Sequence, residues 1–531
     1  MLATLKVLTM DDMKDKSIHF TAQKLSEDIQ NMKIYQAFYT EIQKLVSSPS
    51  VRKDDFKTTL LESMKKTGME TELRNTVFHW VRSHNNRDSD GITSIVREPL
   101  TYLRKAQLQW EKRIHKSLNS MCGELGVPLA RLRQTTDKEE LDEKWTELST
   151  YDIDLSQYRP VYAPKDFLEV LLLIRSPNYR VMDDGVWDFT QIPLKVKSIT
   201  ELRGLYQELS RGEALLGVNP YMASSGSYPT LEAERTTLGE KVLLSNQAPV
   251  AQEFLKRGSP RCLRGRLWAQ VLGSAVKQTH REYFAELKHL VLQHDLMVDK
   301  LIIKDVQLTA SNDDQYFVFE DVLYQVMLCF SRDTEILSVF NHSSASPINA
   351  VLKSKAPSLE NTVIYPPSGV IPFHGFTMYA TPFCYLYDDP VALYHTLRAF
   401  YMRYWFRLHE VSSHPQGLLA LCILFERLLQ RHEPQLWMHF KLMNVQPIRV
   451  VFKWLMRSFS GHLPPEQLLL LWDLVLAYDS LEIQALLAVA ILSFRRENLL
   501  QVNNQQNVEA VLADLSSIAV MPLLQLTLMR D

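Results

Sequence analysis

The chain has 531 residues, of which 46% are hydrophobic and 23% are charged, as in folded globular proteins with a few domains. Its 59 basic and 61 acidic side chains give a net charge of −2, which argues against a broad nucleic-acid-binding surface. The five cysteines are scattered and no two form a C-x-x-C pair, so we expect reduced, packed thiols and a cytoplasmic protein.

Membrane targeting is not indicated by the sequence. Residues 1–10 lack the charged start, long apolar run and small-residue cleavage site of a signal peptide. The longest apolar candidate, residues 468–492, is interrupted by Asp473, Asp479 and Glu482. We therefore expect no transmembrane segment and no membrane contact except through a partner.

Residues 1–218 have the pattern of an N-terminal helical region. Its strongest helix covers residues 100–125, where Trp110, Ile114, Leu118 and Met121 share one face. We expect the basic residues on its other faces to be solvated, although they could instead meet an acidic lipid or a GTPase. These residues are Arg104, Lys105, Lys112 and Lys116. The composition of residues 84–91 predicts a solvated loop.

Residues 219–240 are rich in Ser, Pro and Gly in their first half, and we interpret them as a linker to a second domain, residues 241–525. Apolar and aromatic runs on helical spacing fill that domain, so we expect an all-α protein. Residues 486–492 are apolar on every side, which predicts a central, fully buried helix.

An apolar patch with a carboxylate at its centre opens the stretch from 301 to 330. Asp305 follows Ile302 and Ile303 and precedes Val306. An unpaired carboxylate in such surroundings is costly, so we expect Asp305 to have a buried partner.

Two stretches of the second half carry a specific family resemblance. RGSPRCLRGRLWAQVLG, residues 257–273, is similar to the opening signature of the TBC domain through Arg264, Gly265 and Trp268. FKWLMRSFSGHLPPEQLLLLWDLVL, residues 452–476, resembles the helix–loop–helix that ends such domains, with Trp472 and Asp473 in register. The resemblance extends over residues 242–524.

Two intervening stretches match the family in place and differ in content. The stretch at 301 is similar to the I-x-x-D-x-x-R motif through Ile302 and Asp305, and Leu308 then occupies the arginine position. GVIPFHGFTMY, residues 369–379, stands where the family has Y-x-Q-G-M; alignment on Gly375 puts His374 at the glutamine position.

The resemblance implies an all-helical module that accelerates GTP hydrolysis by Rab GTPases and regulates membrane traffic. In the family, the arginine and the glutamine enter the nucleotide site of the Rab. A guanidinium offsets charge that develops on the γ-phosphate, and an amide orients the attacking water. GTP and Mg²⁺ belong to the partner, so we expect no cofactor of the chain's own and a location peripheral to endomembranes.

The side chain of Leu308 cannot supply charge or hydrogen bonds, so a different group would have to replace the arginine. Lys304 shares its helical face but lacks the planar fork of arginine. An arginine from elsewhere, such as Arg264 or Arg332, is conceivable. His374 could hold water or contact the Rab, or it could simply pack between neighbouring phenylalanines.

The other matched residues are interpreted as structural. We expect Trp268 and Trp472 to be core anchors and Asp473 to cap or pair locally. Because the family keeps both residue types, we also hypothesise an Arg264–Asp305 pair. No phosphate-binding glycine loop or metal-ligand spacing is present in the sequence.

Two functions remain open from the sequence. The first is a GTPase-activating protein for Rabs that works without the arginine, with His374 positioning water. The second is a pseudo-GAP, a Rab-binding scaffold that keeps the fold and has lost the chemistry. The role of residues 1–218 is not indicated.

Overall fold

The computed structural model describes residues 23, 26–47, 53–91, 101–151, 153–174, 189, 191–210, 229–338, 348–352 and 361–529. Helices dominate these residues, and the strands form only two short antiparallel pairs. The prediction of an all-α protein with N-terminal helices before the TBC-like part is confirmed.

After a short helical stretch at residues 26–30, the first part of the chain contains eight described α-helices and one strand. They are α1 (Tyr35–Val46), α2 (Lys53–Thr67), α3 (Met69–Gly91), α4 (Thr101–Leu125), β1 (Ala130–Leu132), α5 (Thr135–Glu143), α6 (Pro164–Leu172), α7 (Ile199–Leu205) and α8 (Gln207–Ser210). The helix predicted over 100–125 is present as α4, and the four basic residues on its outer faces are exposed. The loop predicted over 84–91 was wrong, because α3 continues to Gly91.

The second part begins with helices that surround the predicted motifs. They are α9 (Pro229–Ser245), α10 (Ala248–Leu255), α11 (Arg264–Leu272), α12 (Gln278–Gln293), β2 (His294–Leu296), α13 (Met297–Asp305), α14 (Glu320–Arg332), α15 (Thr334–Leu337), β3 (Ile348–Leu352) and β4 (Asn361–Tyr365). The predicted linker falls partly outside the described residues, and its described part, from Pro229, lies in α9.

The C-terminal helices build the largest part of the core. They are α16 (Pro390–Arg403), α17 (Leu418–His432), α18 (Pro434–Leu442), α19 (Ile448–Met456), α20 (Pro465–Tyr478), α21 (Glu482–Phe494), α22 (Arg496–Leu499), α23 (Gln505–Val511) and α24 (Val520–Met529). Every residue of α21 from Glu482 to Leu492 is buried, as the apolar run predicts. This helix packs against α17 on one side and α24 on another.

The two parts of the chain share one continuous hydrophobic core. Strand β1 pairs with β2, with Ala130 opposite Leu296. Away from this pair, the hydroxyl of Tyr206 lies 3.0 Å from that of Ser480, at the end of α20. The N-terminal helices therefore pack directly on the part of the chain that carries the motifs.

Replacing a buried leucine of α21 should destabilise the protein far more than replacing an exposed one of α24. Leu487→Ala should cost roughly 2–5 kcal/mol, because Leu487 has no solvent exposure and its loss leaves a cavity. Leu526→Ala, at an exposed position, should stay within about 0.5 kcal/mol. Urea unfolding of both variants measures the difference, and equal costs would contradict the packing described for α21.

Candidate functional site

Asp305, the last residue of α13, fastens two of the predicted motifs to each other. Its carboxylate oxygens accept hydrogen bonds from the backbone N–H groups of Gly375 (2.6 Å) and Thr377 (2.8 Å). Burial raises the pKa of the Asp305 carboxyl, whereas these two N–H groups stabilise its ionised form. The expected buried partner of Asp305 is therefore the backbone of residues 369–379, which we call the third motif.

A second link joins the same segments. Residues Val306–Ala310 form a π-helical turn directly after α13, and this turn packs against the 3-10 turn Phe376–Tyr379. The hydroxyl groups of Thr309 and Thr377 lie 2.8 Å apart within this contact. The backbone that carries position 308 is thus held against the backbone that follows position 374.

Leu308, at the family's arginine position, lies on the π-helical turn. Its side chain is 39% exposed, so an apolar group meets solvent there. Lys304, one turn earlier, is partly exposed. The two arginines considered as replacements are both buried: Arg264 lies 3.1 Å from Asp473, and Arg332 donates to both oxygens of Asp299 at 2.6 and 2.7 Å.

His374, at the glutamine position, has a fixed backbone and a partly exposed ring. Its N–H donates to the carbonyl of Tyr162 (2.9 Å), and its carbonyl accepts from Nη2 of Arg457 (2.7 Å). The side chain is 37% exposed, with Nδ1 3.8 Å from Asp305 Oδ1. Burial lowers the pKa of the imidazole, Asp305 raises it and Arg457 lowers it, with a net decrease. A neutral ring offers one donor and one acceptor.

Arg457 is a residue of this site that the sequence analysis missed. It follows α19 directly, and burial lowers the pKa of its guanidinium while Asp305 opposes that shift. Gly375 adopts a φ of +97°, and a Cβ added there would lie 2.2 Å from Arg457 Cζ. Only glycine fits this contact and this backbone conformation. A single basic residue inside the apolar run WLMRSF was the available signal.

A histidine does pack between the phenylalanines of the third motif, and it is His409. Its ring centroid lies 5.9 Å from that of Phe373 and 6.0 Å from that of Phe376. Nε2 of His409 lies 2.9 Å from the hydroxyl of Tyr401. Burial lowers the pKa of His409 to about 4, so the ring is neutral at pH 7.

The remaining predicted residues form a separate, buried cluster around Asp473. This carboxylate accepts from Trp268 Nε1 (2.6 Å), Arg264 Nε (3.1 Å) and the hydroxyl of Ser259 (2.7 Å). The hypothesis of an Arg264–Asp305 pair was wrong, because Asp305 is satisfied by backbone N–H groups and Arg264 by Asp473. The expectation of a local partner for Asp473 was also wrong, since its partners precede it by more than 200 residues.

Trp472 lies next to this cluster and has no solvent exposure. Its Nε1 donates to the carbonyl of Ser458 (3.0 Å), and its ring centroid lies 4.8 Å from that of Trp405. Four of the eight predicted residues, Leu308, His374, Asp305 and Gly375, therefore meet in one site. The other four are buried in and beside the cluster around Asp473.

An exposed apolar loop follows the π-helical turn. Phe317 and Val318 are 55% and 65% exposed, and the neighbouring ring of Phe319 contacts Tyr385 at 5.1 Å. The hydroxyl of Tyr385 donates to the carbonyl of Gln315 (2.5 Å), which fixes the loop. We call Phe317, Val318 and Tyr385 the apolar loop patch.

Comparisons with known proteins identify the family. The model for the Rab-GTPase-TBC domain matches residues 373–500. The human protein TBC1 domain family member 19 is 46% identical over 525 residues, which cover 97% of this chain and 98% of that protein. The chain belongs to the RabGAP-TBC family. The resemblance drawn from the four stretches is thereby confirmed.

More distant relatives match part of the chain. A TBC domain-containing protein kinase-like protein of Dictyostelium discoideum is 26% identical over 138 residues, which are 26% of this chain and 13% of that protein. The Chlamydomonas flagellar RabGAP TBC domain matches with a TM-score of 0.38 and 16% identity, over 52% of this chain and 83% of its own. The Ypt/Rab-GAP domain of Gyp1p gives a TM-score of 0.35 and 12% identity, over 62% and 97%.

Within the ranges that the structure describes, no three His, Cys, Asp or Glu side chains are grouped as a metal would require. Over those ranges, no helix combines the length and hydropathy needed to cross a bilayer.

Removing the charge of Asp473 should destabilise the protein strongly. Asp473→Asn leaves the guanidinium of Arg264 buried without a counter-charge, which should cost roughly 3–5 kcal/mol. The matched control is the exposed pair of Arg261 and Glu466, where Glu466→Gln should cost at most about 1 kcal/mol. Chemical unfolding compares the two variants, and a mild effect of Asp473→Asn would show that Arg264 does not depend on it.

Stability should fall as the pH is lowered from about 6.5 to about 4, in part through His409. In that window the unfolded chain binds a proton at this histidine that the folded chain excludes, because its pKa in the fold is about 4. His409→Gln should flatten this part of the profile. The exposed His289 provides the control, and His289→Gln should keep the original profile. The free energy of unfolding, measured at several pH values, tests this prediction. Identical pH profiles for His409→Gln and His289→Gln would contradict it.

Proposed function

We propose that this chain binds a Rab GTPase as a scaffold or effector and gives little acceleration of GTP hydrolysis. The observation that carries the proposal is the apolar, partly exposed side chain of Leu308 at the family's arginine position. Leu308 and the neighbouring apolar loop patch would face the GTPase. The Rab would supply GTP, Mg²⁺ and the contact with endomembranes.

The missing guanidinium is the main argument against efficient activation. An arginine finger is worth roughly 10³–10⁵ in rate, which is about 4–7 kcal/mol of barrier. Lys304 would bring a point charge without two aligned donors. The guanidinium of Arg457 is engaged with the carbonyl of His374 and packed against Gly375, so its release would leave a partly buried carbonyl without that donor.

Binding is supported by the way the two motifs are held together. The bonds from Gly375 and Thr377 to Asp305 are made by backbone groups, so they do not depend on the side chains at 308 and 374. The backbone frame of the family's two fingers can therefore persist after the finger side chains have changed. Exposed apolar groups beside that frame, Phe317 and Val318, favour a protein partner.

Activation without an arginine is the second candidate, and the state of His374 favours it. The imidazole is neutral near pH 7, partly exposed and fixed by its backbone, so a ring nitrogen could orient a water molecule. Such an activator would work by positioning alone. It would be much weaker than one that also neutralises charge on the γ-phosphate.

Phosphate release from a panel of GTP-loaded Rabs tests the proposal, together with direct binding to the same Rabs. We expect binding to at least one Rab and an unchanged rate of hydrolysis. The double variant Leu308→Arg with His374→Gln should then raise the rate toward the roughly 10³- to 10⁵-fold gain of a finger.

Leu442→Arg is the matched control, because it adds the same charge at an exposed leucine of α18. It should leave both binding and hydrolysis unchanged. Strong acceleration by the unsubstituted chain would contradict the scaffold proposal, and loss of that activity in His374→Ala would support the second candidate. Absence of binding across the panel would overturn both.

A further inference from the structure

The N-terminal region reaches the backbone of the residue at the glutamine position. The N–H of His374 donates to the carbonyl of Tyr162 at 2.9 Å, and Tyr162 lies just before α6. The ring of Tyr162 also lies 5.9 Å from that of Phe373, the residue directly before His374. A segment outside the TBC-like half thus contacts position 374 through its backbone, and the preceding residue, Phe373, through its side chain.

The segment around Tyr162 is itself held firmly by two N-terminal helices. The ring of Trp110, on α4, meets the ring of Tyr162 edge-on at 5.1 Å and stacks on Phe167 of α6 at 5.2 Å. The hydroxyl of Ser117, also on α4, donates to the carbonyl of Val161 at 3.3 Å. A displacement of α4 or α6 would therefore move the carbonyl of Tyr162, which accepts the hydrogen bond from the N–H of His374.

Position 374 is held on its other side as well. Its carbonyl accepts from Arg457, and the next two hydrogen bonds of the motif backbone go from Gly375 and Thr377 to Asp305. Both backbone polar groups of His374 are consequently occupied, one by the N-terminal region and one by α19's end. The imidazole is the part of the residue that reaches solvent, and it is 37% exposed, with Nδ1 facing Asp305.

We infer that Tyr162 is a positioning residue of the GTPase-facing site, and that the N-terminal region sets where His374 is presented. The inference about binding rests on the function proposed above. It assigns to residues 1–218 a role in the site itself. Binding and conformation are thermodynamically linked. A Rab that binds more tightly when His374 is held by Tyr162 would therefore also stabilise the segment around Tyr162.

Hydrogen exchange at single amides of the full-length chain tests the positioning without any Rab. In Tyr162→Leu the aromatic contacts are lost, and the amide of His374 should exchange roughly 3- to 10-fold faster. The amide of Thr377, bonded to Asp305, should keep its protection. Tyr162→Phe retains the ring and should restore the original exchange at His374.

An unchanged His374 amide in Tyr162→Leu would overturn the inference. An equal loss of protection at His374 and Thr377 would also overturn it, because the effect would then be general destabilisation. If Tyr162→Leu does not fold, Trp110→Phe provides a milder loosening of the same contact, with the same expected contrast between the two amides.

Rab binding forms the second arm of the test. Tyr162→Leu should weaken binding by roughly 2- to 30-fold, and Tyr162→Phe should not. Faster exchange at His374 with unchanged binding would overturn the link between the N-terminal region and the GTPase. If the unsubstituted chain binds no Rab, the proposed function fails, and the exchange measurement still decides whether Tyr162 holds His374.

Discussion

The site depends on a buried carboxylate that is satisfied by backbone rather than by a cation. Asp305 accepts from Gly375 and Thr377, and without these bonds it would be an isolated buried charge of high cost. The turn that carries Leu308 begins at the residue after Asp305, and His374 precedes Gly375. One interaction therefore fixes the backbone on both sides of the site, whatever side chains stand at positions 308 and 374.

A second buried carboxylate, that of Asp473, likewise joins distant segments of the chain, in this case within the core. Asp473, within α20, binds Ser259, Arg264 and Trp268, which lie at the start of the TBC-like half. The family signature at residues 257–273 thus has a structural role, because the side chains of Arg264 and Trp268 donate hydrogen bonds to Asp473. The exposed positions 308 and 374, by contrast, are not dictated by folding in this way.

Periodicity predicted the helical fold well, because burial of one helix face leaves a regular apolar pattern, as in α4 and α21. Composition failed over residues 84–91, where polar residues on a helix resemble those of a loop. The partners of Asp305 and Asp473 could not be predicted. Backbone N–H groups leave no mark in a sequence, and a side-chain partner more than 200 residues away follows no local spacing. Arg457 and Tyr162 were missed for the same reason.

The choice between activator and scaffold comes down to which guanidinium could reach the γ-phosphate. Arg264 and Arg332 are each bonded to a buried aspartate, and moving either would break an ion pair inside the core. Arg457 is closer to the site, but it fills the space beside Gly375 and donates to the carbonyl that presents His374. An arginine that holds the frame in place cannot leave it to act in catalysis without loosening the residue it supports. Within the proposed function, this constraint is the physical reason to expect GTPase binding without strong acceleration of hydrolysis.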